Sequence, residues 1–484
     1  MGGGLLQLVA YGAQDVYLTG NPQITFFKVV YRRHTNFAIE AIQQTFNGTA
    51  GYGQTVNCQI SRNGDLINRV YLQVTLPKIK NTTTPNEGTR YVNYVGLRLI
   101  KSVLIEIGGQ QIDKHYSDWL YIWNELSLPG GKRYGYDTMV GADKDITSFN
   151  ETTLYIPLEF WFCRNVGLAL PLIALQYHEV KIKIDFETKA NCAFDLVDGP
   201  GTTTAAVAAV AAVNGVGGTA AVPASDTFDK ALTDANVDPI TEMSLWVDYI
   251  FLDTDERRRF AQLSHEYLIE QLQFTGTETL NTGSTNRVKL NFNHPCKELI
   301  WVAKPNNFKK KSSWYNYTTL DNVDLTKSIV DATLPTNSAS TNYITNVTST
   351  NYMAGFNFGG LYSNPLTTAS TPFADTILQL NGNDRFSVRD GTYFSYVQPF
   401  QHHTNIPTNP GINVYSFALK PEDHQPSGTL NMSRIDTATL MVTTKSSLVN
   451  ANDETLTFNG INIYAVNYNV LRILSGMGGL AYSN

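Results

Sequence analysis

Four short segments in the first half of the sequence recur, in the same order, in the second half. Each match alone is weak, but the preserved order indicates a duplication, and the varying distance between partners indicates loops of different length. In the first pair Ile39-Glu40 aligns with Ile269-Glu270, and in the last pair Tyr249 aligns with Tyr468. The repeat therefore predicts two copies of one β-domain. The four pairs are Phe37–Phe46 with Tyr267–Phe274, Arg69–Pro77 with Lys297–Pro305, Val103–Gln111 with Ile377–Asp384, and Leu245–Phe251 with Tyr464–Val470.

The repeat divides the chain into two domains, a joint and an N-terminal segment. We predict an N-terminal segment over residues 1–24, a first β-domain over 25–259, a joint over 260–264 and a second β-domain over 265–484. Two β-sandwiches of about 200–250 residues each fit this length. A duplicated β-domain without a catalytic constellation indicates a building block rather than an enzyme.

The composition favours a protein that makes broad contacts with other proteins. Charged residues make up 16% of the chain, against about 25% in an average soluble protein. Such a surface suits protein interfaces, whose cores are depleted in charge and enriched in aromatic residues. The net charge of −6 argues against direct binding of nucleic acid, which favours basic proteins.

Strand and turn signals dominate both halves. Cys58–Pro77 has the pattern of a strand, a turn and a strand, with Asn63-Gly64 supplying positive-φ turn chemistry. Val103–Tyr116 has the same pattern around Gly108-Gly109, and Glu179–Glu187 alternates strictly between apolar and polar residues. We therefore predict an all-β fold of two tandem eight-stranded antiparallel sandwiches, of the jelly-roll or Greek-key type.

Helices are expected to be few and short. Tyr116–Leu126 carries aromatic and apolar residues at helical spacing, and Asp255–Leu263 is a second candidate helix near the domain joint. Two long, weakly charged stretches, Gly201–Thr219 and Thr318–Thr371, are predicted to be surface loops, which at this length usually serve a function or an interface.

The cysteines and the N-terminus predict a soluble protein made in the cytoplasm. Cys58, Cys163, Cys192 and Cys296 form no C-x-x-C motif, and we expect them to be free thiols in a reducing compartment. No charged side chain precedes Asp15, so the basic region of a signal peptide is absent. The apolar runs are far shorter than the roughly 18–20 residues that span a bilayer.

A search for catalytic, cofactor-binding and metal-binding residues predicts none of these sites. His402-His403 with His424 could ligate a metal, but a loop histidine pair is more often a surface or interface feature. The acidic residues around Asp255 could form an acid–base pair, but Arg257–Arg259 follow directly, and mutual neutralisation is the better interpretation. We therefore expect no enzyme activity and no cofactor.

Three segments carry a resemblance to a known family. They are Gly12–Ala38 (GAQDVYLTGNPQITFFKVVYRRHTNFA), Tyr155–Ile182 (YIPLEFWFCRNVGLALPLIALQYHEVKI), and Tyr415–Asp436 (YSFALKPEDHQPSGTLNMSRID) together with the ending Asn467–Asn484 (NYNVLRILSGMGGLAYSN). Together they resemble the major capsid proteins of nucleocytoplasmic large DNA viruses. The similarity runs from about Gly12 to the C-terminus and departs mainly in the loops.

The resemblance implies a double jelly roll and a role in a virion. It implies a homotrimer that forms a pseudo-hexagonal capsomer and tiles an icosahedral shell beside neighbouring trimers. It places residues 1–24 at the inner capsid face, near minor capsid proteins and an internal membrane, and implies penton proteins as further partners. Synthesis would take place in the host cytoplasm. As the net charge of −6 already indicates, we expect no direct contact between this protein and nucleic acid.

Two other expectations concern aromatic residues. If Phe160, Trp161 and Phe162 lie in a strand, at least one faces away from its own core, and a trimer or inter-domain contact would bury it. The alternative function is a carbohydrate-binding or receptor-binding β-sandwich, with Trp314, Tyr315, Tyr317 and Tyr352 exposed in loops. A hydrolase on a β-sandwich is a third class, but no acid–base pair supports it.

Overall fold

The computed structural model describes residues 3–79, 88–142, 151–198, 227–230, 237–240, 242–305, 314–319, 371–445 and 457–482. Within these ranges every pairing between named strands is antiparallel. The predicted loops over Gly201–Thr219 and most of Thr318–Thr371 lie outside the described residues.

The strands fall into two groups along the chain. The first group is β1 (Phe37–Gln44), β2 (Thr55–Gln59), β3 (Leu66–Leu76), β4 (Gly88–Tyr91), β5 (Ile100–Ile107), β6 (Gln110–Tyr116), β7 (Thr152–Pro157), β8 (Leu170–Pro171), β9 (Val180–Phe186), β10 (Ala193–Asp198), β11 (Thr227–Lys230) and β12 (Glu242–Leu252). The second group is β13 (His265–Glu278), β14 (Thr285–Lys289), β15 (Pro295–Pro305), β16 (Phe373–Leu380), β17 (Asn383–Asp384), β18 (Arg389–Asp390), β19 (Asn413–Ser416), β20 (Leu430–Asn431), β21 (Ala438–Thr444), β22 (Phe458–Leu474) and β23 (Met477–Leu480).

The helices are short and connect strands. They are α1 (Gly3–Val9), α2 (Val16–Thr19), α3 (Val95–Leu99), α4 (Ser117–Ser127), α5 (Arg133–Val140), α6 (Trp161–Arg164), α7 (Lys189–Cys192), α8 (Thr254–Gln262) and α9 (Gln398–His402). A π-helical turn, Tyr393–Val397, runs directly into α9. The helices predicted over Tyr116–Leu126 and Asp255–Leu263 are confirmed by α4 and α8. No helix in the described ranges has both the length and the apolar character needed to cross a membrane.

Both groups of strands have the same topology. The first half packs a sheet ordered β1-β12-β3-β7 against a sheet ordered β2-β9-β5-β6, and the second half repeats this with β13-β22-β15-β19 and β14-β21-β16-β17. In each half the first main strand pairs with the last and the second with the penultimate, which is the wrapping of a jelly roll. The predicted fold of two tandem eight-stranded jelly rolls is confirmed. The short strands β4, β10 and β11 form an additional small sheet.

The recurring sequence segments lie in equivalent strands. The four pairs fall on β1 and β13, β3 and β15, the hairpins β5-β6 and β16-β17, and β12 and β22. Glu40 lies opposite Tyr249 across the ladder, and Glu270 lies opposite Tyr468, so both cross-strand pairs are preserved.

When the recurring segments of β12 and β22 are aligned residue by residue, side chains that face the core in one half are matched with side chains that face away from it in the other half. Leu245 and Val247 belong to the core of the first sandwich. Their aligned partners, Tyr464 and Val466, turn away from the second core and pack against the first half. Because side chains alternate with a period of two, a one-residue slip is sufficient to exchange the faces. The repeat therefore matched the equivalent strands correctly, but its residue-by-residue alignment of β12 with β22 was wrong.

The alternation predicted in Glu179–Glu187 is confirmed. Strand β9 buries Val180, Ile182, Ile184 and Phe186 and leaves the residues between them half-buried. These side chains join the core of the first sandwich, while the second sandwich has a core of its own around Trp301.

One predicted turn is confirmed and one is wrong in its geometry. Gly108 and Gly109 both have positive φ, at 59° and 83°, and close the hairpin between β5 and β6. Asn63 and Gly64 do not have positive φ, and the strands on either side of them belong to different sheets. Gly64 is needed for a different reason, because an added Cβ would lie 2.9 Å from the Cβ of Tyr249.

The aromatic run at residues 160–162 is not a strand. Trp161 begins the short helix α6, and Phe160, Trp161 and Phe162 are all buried. The rings of Phe160 and Phe162 stack with centroids 5.9 Å apart, and the Trp161 ring meets both of them edge-on. The strand on which the expectation of an outward-facing ring depended therefore does not form, and Trp161 lines a small cavity together with Glu270 and Leu272 of the second half.

The close approach at Gly64 gives a first prediction. We expect Gly64→Ala to destabilise the protein by about 1–3 kcal/mol, because the new methyl group would push the Tyr249 ring out of a packed core. The measurement is the free energy of unfolding in urea. Gly131→Ala is the matched control, since nothing lies within 4 Å of its added Cβ. Equal stability of the two variants would contradict the prediction.

Candidate assembly surface

One sheet of the second sandwich is buried on both of its faces. On the inner face, Trp301 and Ala465 belong to the core of the second sandwich. On the outer face, Ile300, Tyr464 and Val466 belong to the same apolar cluster as the core of the first half. The outer face of β13-β22-β15-β19 is therefore an interface between the two halves of the chain, which we call the junction.

Helix α4 fills the first-half side of the junction. Its Trp119 is buried and lies with its ring centroid 5.7 Å from that of Tyr464. Just before the helix, Tyr116 meets the edge of Phe274 at 5.1 Å. Helix α4, in the connection between β6 and β7, therefore contacts β5 and β6 of the first sandwich and also the outer sheet face of the second.

The loop aromatics suggested for ligand binding are part of this junction. Tyr315 and Tyr317 are 2% and 0% exposed, so they are unavailable to a carbohydrate. Tyr315 stacks on Tyr121 at 4.6 Å, and the Tyr317 hydroxyl donates to Asp118 Oδ1 at 3.0 Å. The expectation that these side chains are exposed was wrong, and Tyr352 lies outside the described residues.

A buried ionic group ties the halves together. Glu270 accepts from Arg164 Nη1 at 3.1 Å and from Lys297 Nζ at 2.6 Å. Lys297 is fully buried and also donates to the carbonyl oxygen of Pro421. The Arg164 guanidinium in turn lies 3.9 Å from the ring centroid of Trp123 in α4. A buried carboxylate with two cationic partners fixes orientation, since loss of any partner leaves a buried charge unpaired.

Hydrogen bonds that involve backbone groups extend the junction along strand β6 and to the C-terminal hairpin. Gln271 donates to the carbonyl oxygen of Ile112, and the backbone N–H of Leu272 donates to Asp113 Oδ1 at 3.0 Å. At the C-terminal hairpin, the N–H of Tyr177 donates to the Gly476 carbonyl at 3.0 Å. Because hydrogen bonds are directional, these contacts restrict how the two halves are oriented at an otherwise apolar interface.

The candidate histidines do not gather around a common point for a metal. His403 is buried between two carboxylates, with Nε2 3.0 Å from Glu298 and Nδ1 2.9 Å from Glu422. The Glu298 contact is not aligned as a hydrogen bond, so charge attraction dominates there. Burial alone would lower the pKa of His403, but the two carboxylates outweigh it and raise the pKa to about 9. In the described residues no group of three or more His, Cys, Asp or Glu is arranged to hold a metal ion.

The His403 ion group positions helix α9. His403 directly follows α9, whereas Glu298 lies in β15 and Glu422 lies in a later turn. Glu422 also accepts from the N–H of Thr404 at 3.0 Å. A charged imidazole between these groups therefore anchors the end of α9 to the second sandwich.

The acidic and basic run near the domain joint is arranged differently from the prediction. Arg257 pairs with Asp65 at 2.9 Å rather than with its sequence neighbours. Asp253 instead accepts from the N–H of Thr254 and caps α8. The pairing with a distant residue follows from the packing of α8 on the first sandwich, which local charge patterning does not reveal.

The predicted thiols are free. None of the four cysteines forms a disulfide, and three of them are buried. Burial raises the pKa of the Cys58 thiol to about 11. These side chains therefore behave as small apolar residues of the cores.

The outer face of the corresponding sheet in the first half carries a partly exposed aromatic group. Tyr71 and Trp246 are cross-strand partners with parallel rings 6.3 Å apart, and Tyr155 lies 6.3 Å from Tyr71. Tyr71 and Trp246 are only half-buried, and Tyr155 is 40% exposed. We call Tyr71, Tyr155 and Trp246 the aromatic face. Its location on sheet β1-β12-β3-β7 is equivalent to that of the buried junction face.

A second uncovered apolar surface lies on the helix of the second half. Val397 and Phe400 are one helical turn apart and therefore share a side of the helix. They are 38% and 74% exposed. We call this pair the α9 ridge.

The N-terminal segment is a third exposed apolar region. Helices α1 and α2 bury no residue. Further along, Phe26 and Phe27 are 86% and 98% exposed, and strand β1 is exposed over most of its length. More than half of the exposed large apolar side chains in the described residues precede Glu40. Exposed apolar surface of this extent is typical of a segment that binds another surface.

Sequence reasoning did not single out the aromatic face or the α9 ridge. For the aromatic face a signal was present, because Tyr71 and Trp246 occupy the alternating positions that should be polar on an exposed sheet. For Phe400 no local signal existed, because its exposure depends on which neighbours the fold provides.

The two halves of the chain match two family models. Residues 25–253 match the model described as the N-terminus of major capsid proteins, and residues 256–479 match that of the large eukaryotic DNA virus major capsid protein. The major capsid protein of Phaeocystis pouchetii virus is 46% identical, over the full length of both chains.

Solved structures give the same result. A quasi-atomic model of the capsid of Paramecium bursaria Chlorella virus 1 is similar at a TM-score of 0.66 and 39% identity, covering 95% of this chain and 100% of that chain. The Faustovirus major capsid protein has a TM-score of 0.63 at 14% identity, covering 96% of this chain and 94% of that chain, so it supports the fold alone.

The raised pKa of His403 gives a second prediction. The pKa rises from 6.5 to about 9 on folding, so the stabilisation is complete below about pH 6.5 and is lost as the pH rises through 9. The loss is on the order of 3 kcal/mol. We expect the urea midpoint of the wild type to fall across this window, and that of His403→Gln to be lower at pH 6.5 but nearly constant. Parallel curves for the two proteins would contradict the prediction.

Proposed function

Because the chain belongs to the major capsid protein family of large eukaryotic DNA viruses, we propose that three copies form a pseudo-hexagonal capsomer and that capsomers tile an icosahedral shell. The protein is a structural major capsid protein of the virion, not an enzyme.

The observation that carries the proposal is the unequal burial of two equivalent sheets. In the second sandwich the outer face of the first sheet is covered by the first half of the chain, whereas in the first sandwich the aromatic face on the equivalent sheet stays partly exposed among the described residues. Two sandwiches per chain and three chains supply six similar units, which suits a ring with a hexagonal outline. Aromatic rings are the side chains that protein interfaces enrich.

We further propose roles for the parts of the chain. Residues 25–259 and 265–484 act as the two jelly-roll units of the capsomer, and 260–264 act as the joint. The exposed apolar residues of the N-terminal region support residues 1–24 as a binding segment at the inner capsid face, near minor capsid proteins and an internal membrane. Penton proteins are further partners, nucleic acid is not contacted directly, and synthesis takes place in the host cytoplasm.

The mass of the purified protein tests the trimer. We expect light scattering to give three times the chain mass of 53.7 kDa, with hexagonal outlines in negative-stain images of the same peak. A tight contact between copies makes this mass persist on dilution. A stable monomer at micromolar concentration would overturn the proposed capsomer.

Proteolysis tests the role of residues 1–24. In free trimers we expect rapid cleavage within this segment, because its two short helices bury no side chain. In assembled particles we expect protection, since the segment would then lie against its partners. Resistance in the free trimer, or equal cleavage before and after assembly, would contradict the assignment. The well-packed β9 region serves as the internal control.

A further inference from the structure

We propose that one water molecule is bound inside the junction, where it joins polar groups of β6, α4 and α6 beneath the second sandwich. The site lies within a single chain and therefore exists whether or not the trimer forms. Three features of the molecule support it. They are a small cavity between the two halves, three buried polar atoms without partners on its lining, and the balance of donors and acceptors around it.

The cavity lies between the two halves of the chain. Strand β6 and helices α4 and α6 of the first half contribute to its lining, and β13 and β22 of the second half contribute the remainder. Its volume is about 10 Å³, which is close to the minimum that a single water molecule occupies. Leu272 and Val466 line it from the second half, so the site is complete only while the two halves are in contact.

Two residues that line the cavity carry N–H donors without an acceptor. Neither Nε1 of Trp119 nor Nε of Arg164 has a hydrogen-bond partner among the described residues, and both atoms are shielded from solvent. Arg164 uses a different nitrogen, Nη1, for its bond to Glu270 at 3.1 Å. Buried donors are nearly always hydrogen-bonded, because a donor that loses water without gaining an acceptor destabilises the fold. Both N–H groups therefore call for an acceptor in the cavity.

His115 supplies an acceptor on the same lining. It is 2% exposed, and its Nε2 lies 2.8 Å from Asp113 Oδ2. Since a carboxylate only accepts hydrogen bonds, Nε2 carries the hydrogen, and Nδ1 of the neutral ring is an acceptor. Nδ1 is buried and has no hydrogen-bond partner within the described ranges. It therefore calls for a donor in the cavity.

Glu159 is the second acceptor. It lines the cavity and lies close enough to Arg164 and His115 to interact electrostatically with both. Glu270 also lines the cavity, but its two carboxylate oxygens already accept from Arg164 and Lys297. The Glu159 carboxyl group is therefore the better fourth partner for a bound molecule.

The balance of partners selects a neutral molecule rather than an ion. A water molecule accepts two hydrogen bonds and donates two, which matches the two N–H donors, the imidazole nitrogen and the Glu159 carboxyl group. An anion would face the carboxylates of Asp113, Glu159 and Glu270, and a cation would face the two N–H donors. An apolar side chain in the same space would leave all of these groups unpaired.

A density map of the wild-type protein tests the site directly. At a resolution that shows ordered water, we expect one peak at about 2.7–3.2 Å from Trp119 Nε1, Arg164 Nε and His115 Nδ1. A map without this peak would overturn the proposal. In crystals grown in sodium bromide, we expect no anomalous signal at this position. Such a signal would identify an anion site and would also overturn the proposal.

A cavity-filling substitution tests the site in solution through the sign of its effect. Val466 lines the cavity, and Val466→Ile adds one methyl group there. In a dry cavity the methyl group would gain apolar contacts and stabilise the protein. In the proposed site it displaces the water and leaves buried donors unpaired, so we expect the equilibrium constant for unfolding in urea to rise at least about 10-fold. An unchanged or smaller constant would overturn the proposal.

Two controls isolate the contribution of the water. Val388→Ile makes the same substitution at a position that is 55% exposed, and we expect no change in the unfolding equilibrium. Val466→Ala enlarges the cavity, so a map of this variant should keep the water peak, whereas a map of Val466→Ile should lack it. A monomeric wild type that shows the peak would overturn the proposed capsomer and support the water site. A trimeric wild type without the peak would do the reverse.

Discussion

The burial of strand β22 on both faces is the constraint on which the rest of the structure depends. Most antiparallel sheets in sandwiches have one apolar face and one polar face. Here the central strand of the second half packs Ala465 into its own core and Tyr464 and Val466 into the other half. The two jelly rolls therefore share an apolar boundary, and neither can move relative to the other without exposing it.

Polar contacts at this boundary determine the orientation that apolar packing leaves open. Hydrophobic burial is non-directional, so it would allow several angles between the two sandwiches. The pairing of Glu270 with Arg164 and Lys297, and the bond from Leu272 to Asp113, are satisfied in one arrangement. Removing one partner of this group would leave a buried charge unpaired, which disfavours arrangements of the two halves that separate these residues.

The sequence predicted the strands and their order more accurately than it predicted which side chains contact each other. The repeat identified the equivalent strands because strand-forming segments keep their order when loops change length. It exchanged the faces of β12 and β22 because a shift of one residue reverses every side chain. At Trp161 the sequence left open whether the aromatic run is a strand, and the structure has a short helix there. The roles of His403 and Arg257 depend on partners far away in the sequence, Glu298 and Asp65, which no local pattern reveals.

The short connection between the two halves affects which residue types suit the junction within the chain and which suit a contact between chains. Helix α8 ends at Gln262 and β13 begins at His265, so the two sandwiches meet at the high effective concentration of a short tether, in the millimolar range for flexible linkers. Because the two halves are tethered, the junction does not have to bring its two sides together from solution. It can therefore include a buried lysine such as Lys297, which is costly to remove from water. A contact between separate molecules has no such help, and rings such as Tyr71 and Trp246, which lose little water and little conformational freedom on binding, suit that task.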